Sequence, residues 1–108
     1  MSQFRQEKIT NQIKEMAASY IERITGITSL ITVTRVILSA DKKRAKIMIS
    51  VIPREKENAA YGFIRRNLGD IRKHVTKNLK INPIPYLIVE IDEGEKNRQK
   101  IDELLSKS

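Results

Sequence analysis

The spacing of apolar residues between Ile64 and Leu79 is the feature that most constrains this fold. The apolar residues are Ile64, Leu68, Ile71, Val75 and Leu79, at positions i, i+4, i+7, i+11 and i+15. This spacing is typical of an amphipathic helix that buries one side. From Gly62 to Lys80 the stretch also carries six Lys or Arg residues and one acid, with most cations opposite the apolar stripe. The pattern indicates a basic face directed at a polyanion, with a solvated Lys/Arg-rich face as the alternative.

The charge of the whole chain supports a polyanionic partner. A net charge of +8 over 108 residues favours nucleic acid, ahead of an anionic membrane. Residues 29–52 carry five Lys or Arg residues against one acid, whereas residues 53–61 are neutral. Residues 81–108 carry six acids against four cations. Positive charge is therefore concentrated in two central segments.

The composition excludes several kinds of chemistry. The chain has no Cys, which excludes disulfides, thiolate metal sites and a nucleophilic thiol. Its single His, His74, stands on the flank of the basic helix, where we expect it to face solvent, with no second His to share a metal. We therefore expect a binding protein without catalytic residues, a metal or a cofactor. The chain shows no signal-peptide pattern or bilayer-length apolar run, so we expect it to be soluble and cytoplasmic.

Alternating helical and strand patterns predict one α+β domain over residues 1–108, with a core over about 5–92. The predicted elements are a helix over 4–24, ended by Gly26, strands over 30–38 and 45–51, a short helical segment over 54–61, a long basic helix to Lys80, a strand over 86–91, and a short terminal helical segment over about 97–106. The first two strands are close enough in sequence to form an antiparallel hairpin. Residues 39–43 between them have the composition of a turn, with Asp41 suited to bonding nearby backbone.

A second group of cations accompanies this hairpin. Lys42, Lys43, Arg44 and Lys46 stand at or just after the turn, and Arg35 stands on the preceding strand. Such groups contact phosphates and position a protein without reading sequence. Aromatic residues are few, and we expect Tyr20 and Phe63 in the core. Tyr61 is a candidate for base stacking, with core packing as the favoured alternative, so the sequence favours duplex or shaped RNA over a sequence-specific single strand.

Several motifs together resemble the bacterial ribosome-binding factor A family. The element order is similar to that of a type II KH domain, but Ala60-Tyr61-Gly62, followed by Phe63-Ile64-Arg65, replaces the Gly-x-x-Gly clamp of single-strand binders. The other segments that resemble the family are residues 31–39 with Asp41, 45–50, 85–87 with the strand that follows and Asp92, and 101–105. The resemblance spans about residues 5–105.

The resemblance implies a fold and a function. The implied fold is a type II KH-like α+β domain, ordered α-β-β-α-(bend)-α-β, with a three-stranded sheet, helices packed on one face, and the bend at Ala60 and Gly62. The implied function is maturation of the small ribosomal subunit: binding free or immature 30S particles and 16S rRNA, and assisting late rRNA processing and folding, without enzymatic activity or cofactor. Since no coiled-coil pattern is present in the sequence, we also expect a monomer. The candidate RNA-binding residues are Arg35, Lys42, Lys43, Arg44, Lys46, Tyr61, Arg65, Arg66, Arg72, Lys73, Lys77 and Lys80.

The chain also departs from the family pattern. The segment between Ser50 and Ala60 is shorter, which predicts a first helical arm of about two turns. Gly26-Ile27-Thr28 stands where the family has Asp-Pro, and the glycine before the terminal segment is missing near Arg98. Two other functions stay open: a general KH-like binder of single-stranded nucleic acid, and a basic module that docks on an acidic protein partner.

Overall fold

A computed structural model describes residues 2–25, 30–79 and 84–94 of the chain. Its elements are α1 (Ser2–Ile24), β1 (Leu30–Leu38), β2 (Arg44–Ile52), a 3₁₀ turn (Arg54–Lys56), α2 (Glu57–Arg66), α3 (Leu68–Asn78) and β3 (Tyr86–Ile91). This is the predicted order, and the bounds of β1 and β3 are those predicted. The expected helix end at Gly26 and the expected terminal helical segment over 97–106 lie outside the described residues.

The strands form one mixed sheet in the order β1-β2-β3. β1 and β2 make the predicted antiparallel hairpin, in which Leu38 pairs with Ala45 near the turn. β2 and β3 are parallel, and Arg44 is the Cα partner of Tyr86 at the start of that ladder. A β-bulge interrupts β1 because Thr34 has no partner in the register.

The core lies between one face of the sheet and the described helices. Alternate residues of β2 face it, beginning with the fully buried Ala45, Ile47 and Ile49. The predicted apolar stripe also faces it, since Ile64, Ile71, Val75 and Leu79 are buried and Leu68 packs against the same cluster. Among the described helices, none combines the length and the apolar composition needed to cross a bilayer.

The bend between the consecutive helices lies at Asn67, so its prediction at Ala60 and Gly62 was wrong. α2 passes without interruption through both of those positions, and Ala60 is buried in the core. The Asn67 side-chain amide donates to the Phe63 carbonyl oxygen at 2.8 Å, and its backbone N–H donates to the Ile64 oxygen at 3.0 Å. Asn67 thus donates hydrogen bonds to carbonyl oxygens in the last turn of α2, and these bonds terminate the helix.

Glycine alone does not bend a helix, which explains the error. Among the described glycines none has a positive φ, so Gly62 adopts an ordinary helical conformation. The later bend gives α2 ten residues, nearly three turns, where the sequence predicted about two. The predicted long basic helix is accordingly divided between the last turn of α2 and α3.

Candidate nucleic-acid interface

The hairpin turn presents three exposed cations on a hydrogen-bonded backbone. The Ser39 hydroxyl donates to Asp41 Oδ1 at 2.6 Å, and the Lys43 N–H donates to the same oxygen at 3.0 Å. The Arg44 N–H donates to the Ser39 hydroxyl oxygen at 3.1 Å, and Lys42 takes the left-handed conformation with φ 62°. These bonds confirm that Asp41 binds nearby backbone, and they hold Lys42, Lys43 and Arg44 in a defined arrangement.

The acid in this turn stays ionised at neutral pH. The hydrogen bond from the Ser39 hydroxyl lowers the pKa of Asp41 below its ordinary value of 3.8, and the bond from the Lys43 N–H lowers it further. The carboxylate is thus engaged with the turn itself, and the neighbouring cations Lys42, Lys43 and Arg44 are exposed.

The two cations on the strands are already paired with acids. Arg35 Nε lies 3.4 Å from Asp92 Oδ2, and Lys46 Nζ lies 3.7 Å from Glu90 Oε1. Both members of the Lys46–Glu90 pair are about half exposed, so that pair is weak and screened by solvent, whereas Arg35 pairs with a carboxylate whose side chain is only 7% exposed. Both cations lie on the sheet face away from the helices, where an RNA phosphate must compete with a carboxylate.

The helix cations are exposed around the bend. Arg65 and Arg66 belong to the last turn of α2, and Arg72, Lys73 and Lys77 follow on α3; all five are exposed. Lys80, which the sequence assigned to the same group, lies outside the described residues.

Two hydrogen bonds bring the helix and turn cations to the same end of the molecule. An Arg72 guanidinium nitrogen donates to the Ile84 carbonyl oxygen at 3.1 Å. Two residues later, the Tyr86 N–H donates to the Lys43 carbonyl oxygen at 2.8 Å. Because Ile84 and Tyr86 are at most about 7 Å apart along the chain, Arg72 lies close to the hairpin turn. We call Lys42, Lys43, Arg44 and Arg72 the cationic end.

Tyr61 occupies a different environment. It is partly buried against the core, and it lines a cleft together with Glu57, Glu90 and Glu93. Three acidic side chains beside the ring make this cleft a poor place for a nucleic-acid phosphate. The geometry therefore favours the core-packing alternative for Tyr61.

His74 is partly covered rather than fully solvent-facing, which corrects the expectation from the sequence. Its ring lies 5.3 Å from the Tyr20 ring, where α3 meets α1. Its Nδ1 is 3.4 Å from both Arg23 Nη2 and Asn78 Nδ2. Helical periodicity alone missed this contact, because the position of α1 beside α3 is a tertiary feature.

Comparison with known proteins identifies the family. Residues 5–105 match the family model described as ribosome-binding factor A. This chain belongs to the ribosome-binding factor A family. The ribosome-binding factor A of Clostridium botulinum (strain Loch Maree / Type A3) is 28% identical over 109 residues, covering 97% of this chain and 91% of that protein. The resemblance inferred from the motifs is confirmed.

Solved structures of ribosome-binding factor A share the fold. The crystal structure of the Thermus thermophilus protein matches with a TM-score of 0.70 and 19% identity, covering 79% of this chain and 93% of that one. A homology model of the Thermus thermophilus protein, fitted into a cryo-EM map of a 30S complex, matches with a TM-score of 0.65 and 20% identity, covering 75% and 88%. These matches confirm the predicted α+β fold class.

One exposed aromatic residue beside the cationic end was not among the candidates that the sequence indicated. Tyr86 is 65% exposed and lies beside Arg44 in the parallel ladder. The run from Tyr86 to Ile91 is apolar except for Glu90, which hides the alternation. Glu90 is charged and is expected to face solvent. Tyr86 is four positions away, an even number, so on a strand it points to the same face as Glu90, and this alternation identifies Tyr86 as an exposed aromatic.

Proposed function

We propose that this protein binds the small (30S) ribosomal subunit through 16S rRNA and assists late rRNA processing and folding. Family membership supports ribosome binding, and a structural relative was fitted into a map of a 30S complex. The cationic end is the observation that carries the proposal, because Arg72 of α3 and the cations of the hairpin turn converge there. Converging cations of this kind suit the closely spaced phosphates of folded RNA.

The proposed contacts differ in strength. The turn cations and the helix cations are exposed, so they are the principal phosphate contacts we propose; the described helix cations are Arg65, Arg66, Arg72, Lys73 and Lys77. Arg35 and Lys46 are auxiliary contacts, because each must first leave its carboxylate. We also propose Lys80 as a phosphate contact, on the basis of its position in the sequence alone.

The proposed role is binding rather than catalysis. A histidine that activates a Ser or Thr nucleophile as in a catalytic triad is oriented by an acid. The contacts of His74 Nδ1 are instead with the side chains of Arg23 and Asn78. The site that the geometry favours is thus a charged surface.

Co-sedimentation with purified 30S particles tests the proposal. The double variants Arg65→Glu/Arg66→Glu and Lys42→Glu/Lys43→Glu should each abolish pelleting, whereas the wild type should pellet and dissociate steeply with salt. The matched control is Lys8→Glu/Lys56→Glu, which reverses two exposed cations elsewhere. Unchanged pelleting of both test variants would contradict the proposal.

Further outcomes of the same assay distinguish the competing functions. Equal affinity for random single-stranded RNA and for 30S particles would identify a general KH-like binder. A purified complex that resists nuclease would identify an acidic protein partner. Replacement of the wild-type gene by either test variant should make 16S precursors with unprocessed ends accumulate; normal processing would contradict the maturation role.

A further inference from the structure

The sheet face opposite the helices carries the large apolar side chains that the described part of the chain exposes. The large apolar residues that the structure exposes there are Leu30, Ile37, Ile52 and Tyr86. Strand alternation explains why they share a face, since their neighbours Ile31, Val36, Leu38, Val51 and Leu87 all contact the core on the other side. Leu30 and Ile52 pair at one end of this face, whereas Ile37 and Tyr86 lie toward the hairpin turn.

The end of this face near the hairpin turn combines an aromatic ring with cations. Tyr86 is 65% exposed, and its Cα partner across the parallel ladder is Arg44. Two residues further along β2, Lys46 is flanked by Ile37 on β1 and by Ile88 on β3. Because neighbouring strands lie about 4.8 Å apart, the Tyr86 and Arg44 side chains start side by side on the same face, within reach of one ligand, and Ile37 and Ile88 follow next to them.

The backbone on both sides of Tyr86 is fixed. Its N–H donates to the Lys43 carbonyl oxygen at 2.8 Å, and Pro85 before it has a restricted φ. Tyr86 is therefore held on a strand rather than on a mobile loop. Binding of a planar ligand to its ring then costs little backbone conformational entropy.

The charges beside this ring favour an anionic ligand. Lys42, Lys43 and Arg44 adjoin it in the turn, and the acid among them, Asp41, is bound by the turn itself. Glu90, an acid on the same face, is paired with Lys46. An aromatic ring on the same face as exposed positive charge matches a nucleotide, which supplies a base to stack and a phosphate to bind.

We propose that the Tyr86–Arg44 end of the open sheet face binds an unpaired nucleotide of RNA, with its base stacked on Tyr86 and its phosphate bound by Arg44. This deepens the proposed function, since it rests on RNA being the partner. It adds a contact to single-stranded RNA on the side of the sheet opposite the helix bend. The shape-dependent phosphate contacts then position the protein, and Tyr86 selects a site where a base is free to stack.

Tyrosine fluorescence provides a direct readout because the chain has three Tyr and no Trp. A short single-stranded RNA of mixed sequence, and a blunt duplex of the same sequence, are titrated into the full-length protein. The single strand should quench tyrosine emission of the wild type, whereas the duplex should bind without this quenching. Tyr20→Phe is the matched control, since Tyr20 packs against His74, and it should retain the quenching.

Two variants of Tyr86 separate stacking from folding. Tyr86→Ala should weaken binding of the single strand by roughly fivefold to a hundredfold, the range found for loss of one base–aromatic stack, and leave the duplex affinity unchanged. Tyr86→Phe keeps the ring and should bind the single strand within about twofold of the wild type, but without quenching. Circular dichroism checks that both variants fold, and if Tyr86→Ala does not, Tyr86→Phe decides alone.

The outcomes are distinct from those for 30S binding. Quenching that persists in Tyr86→Phe, or single-strand affinity that is unchanged in Tyr86→Ala, overturns the stacking proposal even if 30S co-sedimentation is intact. Displacement of the RNA by an acidic peptide that binds Tyr86→Ala as tightly as the wild type assigns the face to a protein partner and also overturns it. Arg44→Glu should abolish single-strand binding, with Lys56→Glu as its charge-matched control.

Discussion

The hydroxyl of Thr34 lies 2.6 Å from Oδ2 of Asp92, although the two residues are 58 positions apart. Thr34 is the extra residue of the β1 bulge, and Asp92 directly follows β3. The Asp92 N–H donates to the Ile49 oxygen of β2 at 2.8 Å, so its carboxylate reaches β1 from the far side of the central strand. The bond therefore joins both edge strands of the sheet, and it also holds Asp92 where Arg35 pairs with it.

Removing this hydroxyl should destabilise the fold. Thr34→Val keeps the branched shape but takes a donor from a carboxylate that is only 5% exposed. The expected cost is about 1–3 kcal/mol of unfolding free energy, measured by urea denaturation. Thr32→Val, on an exposed position of the same strand, is the control and should change stability by about 0.5 kcal/mol or less. Equal stability of the two variants would show that the bond contributes nothing.

The sheet illustrates what the sequence can and cannot predict. The bounds of β1 and β3 follow from β-branched and apolar runs bordered by turn residues or prolines, because these signals are local. The bulge at Thr34 has no local signal, since alternating Thr and Val fit a regular strand equally well. Its partner, Asp92, is distant in sequence, so only the folded chain shows the pairing.

Gly62→Ala tests the position of the helix bend. Gly62 lies inside α2, and an added Cβ would meet only the flexible end of the Arg66 side chain, at 3.3 Å. Alanine should therefore stabilise the protein by about 0.5–1 kcal/mol in urea denaturation, because it reduces the freedom of the unfolded chain. If the bend instead lay at this glycine, alanine would destabilise the protein.

The apolar stripe explains why the bend escaped prediction. Ile64 and Leu68 keep their helical spacing across Asn67, and both face the core on either side of it. A helix break that keeps the same face buried does not change the spacing of apolar residues, so hydrophobic periodicity cannot reveal it. The end of α2 depends instead on the bond from the Asn67 amide to Phe63, and an Asn in the sequence does not specify whether it makes such a bond.

The turn should show a pH dependence that follows from Asp41. Its folded pKa is below the ordinary 3.8, so its stabilising effect is complete above that value and is lost as the pH falls through the folded pKa. Asp41→Asn keeps an acceptor for Ser39 and Lys43 but lacks the charge that strengthens both bonds. The variant should have a lower Tm than the wild type at pH 7.

Thermal melts of both proteins from neutral pH to below pH 3.8 check this expectation. The difference in Tm should shrink at the acidic end, since the wild-type side chain then becomes neutral too. Other acids titrate equally in both proteins and cancel in the difference. A Tm difference that is constant with pH would exclude the charge of Asp41 as its cause.

Replacing Lys42 by glycine should make the protein more stable but weaken its binding to RNA. It has φ 62°, a left-handed conformation that costs a residue with a Cβ roughly 1–2 kcal/mol. Lys42→Gly removes that cost and should raise the unfolding free energy by about 0.5–1 kcal/mol, after the added freedom of glycine in the unfolded chain is subtracted. A strained position that retains a cation is expected where the charge serves binding.

The same variant should bind 30S particles more weakly. Loss of one phosphate contact should reduce the slope of log affinity against log salt by roughly 0.7–0.9, the values for single strands and duplex DNA, and co-sedimentation across a salt series measures it. Lys43→Gln is the matched control, because it removes a neighbouring cation without relieving strain: its salt slope should fall similarly while its stability stays unchanged. Lys42→Gly with an unaltered slope would show that Lys42 makes no phosphate contact, and Lys42→Gly without added stability would show that its conformation is not strained.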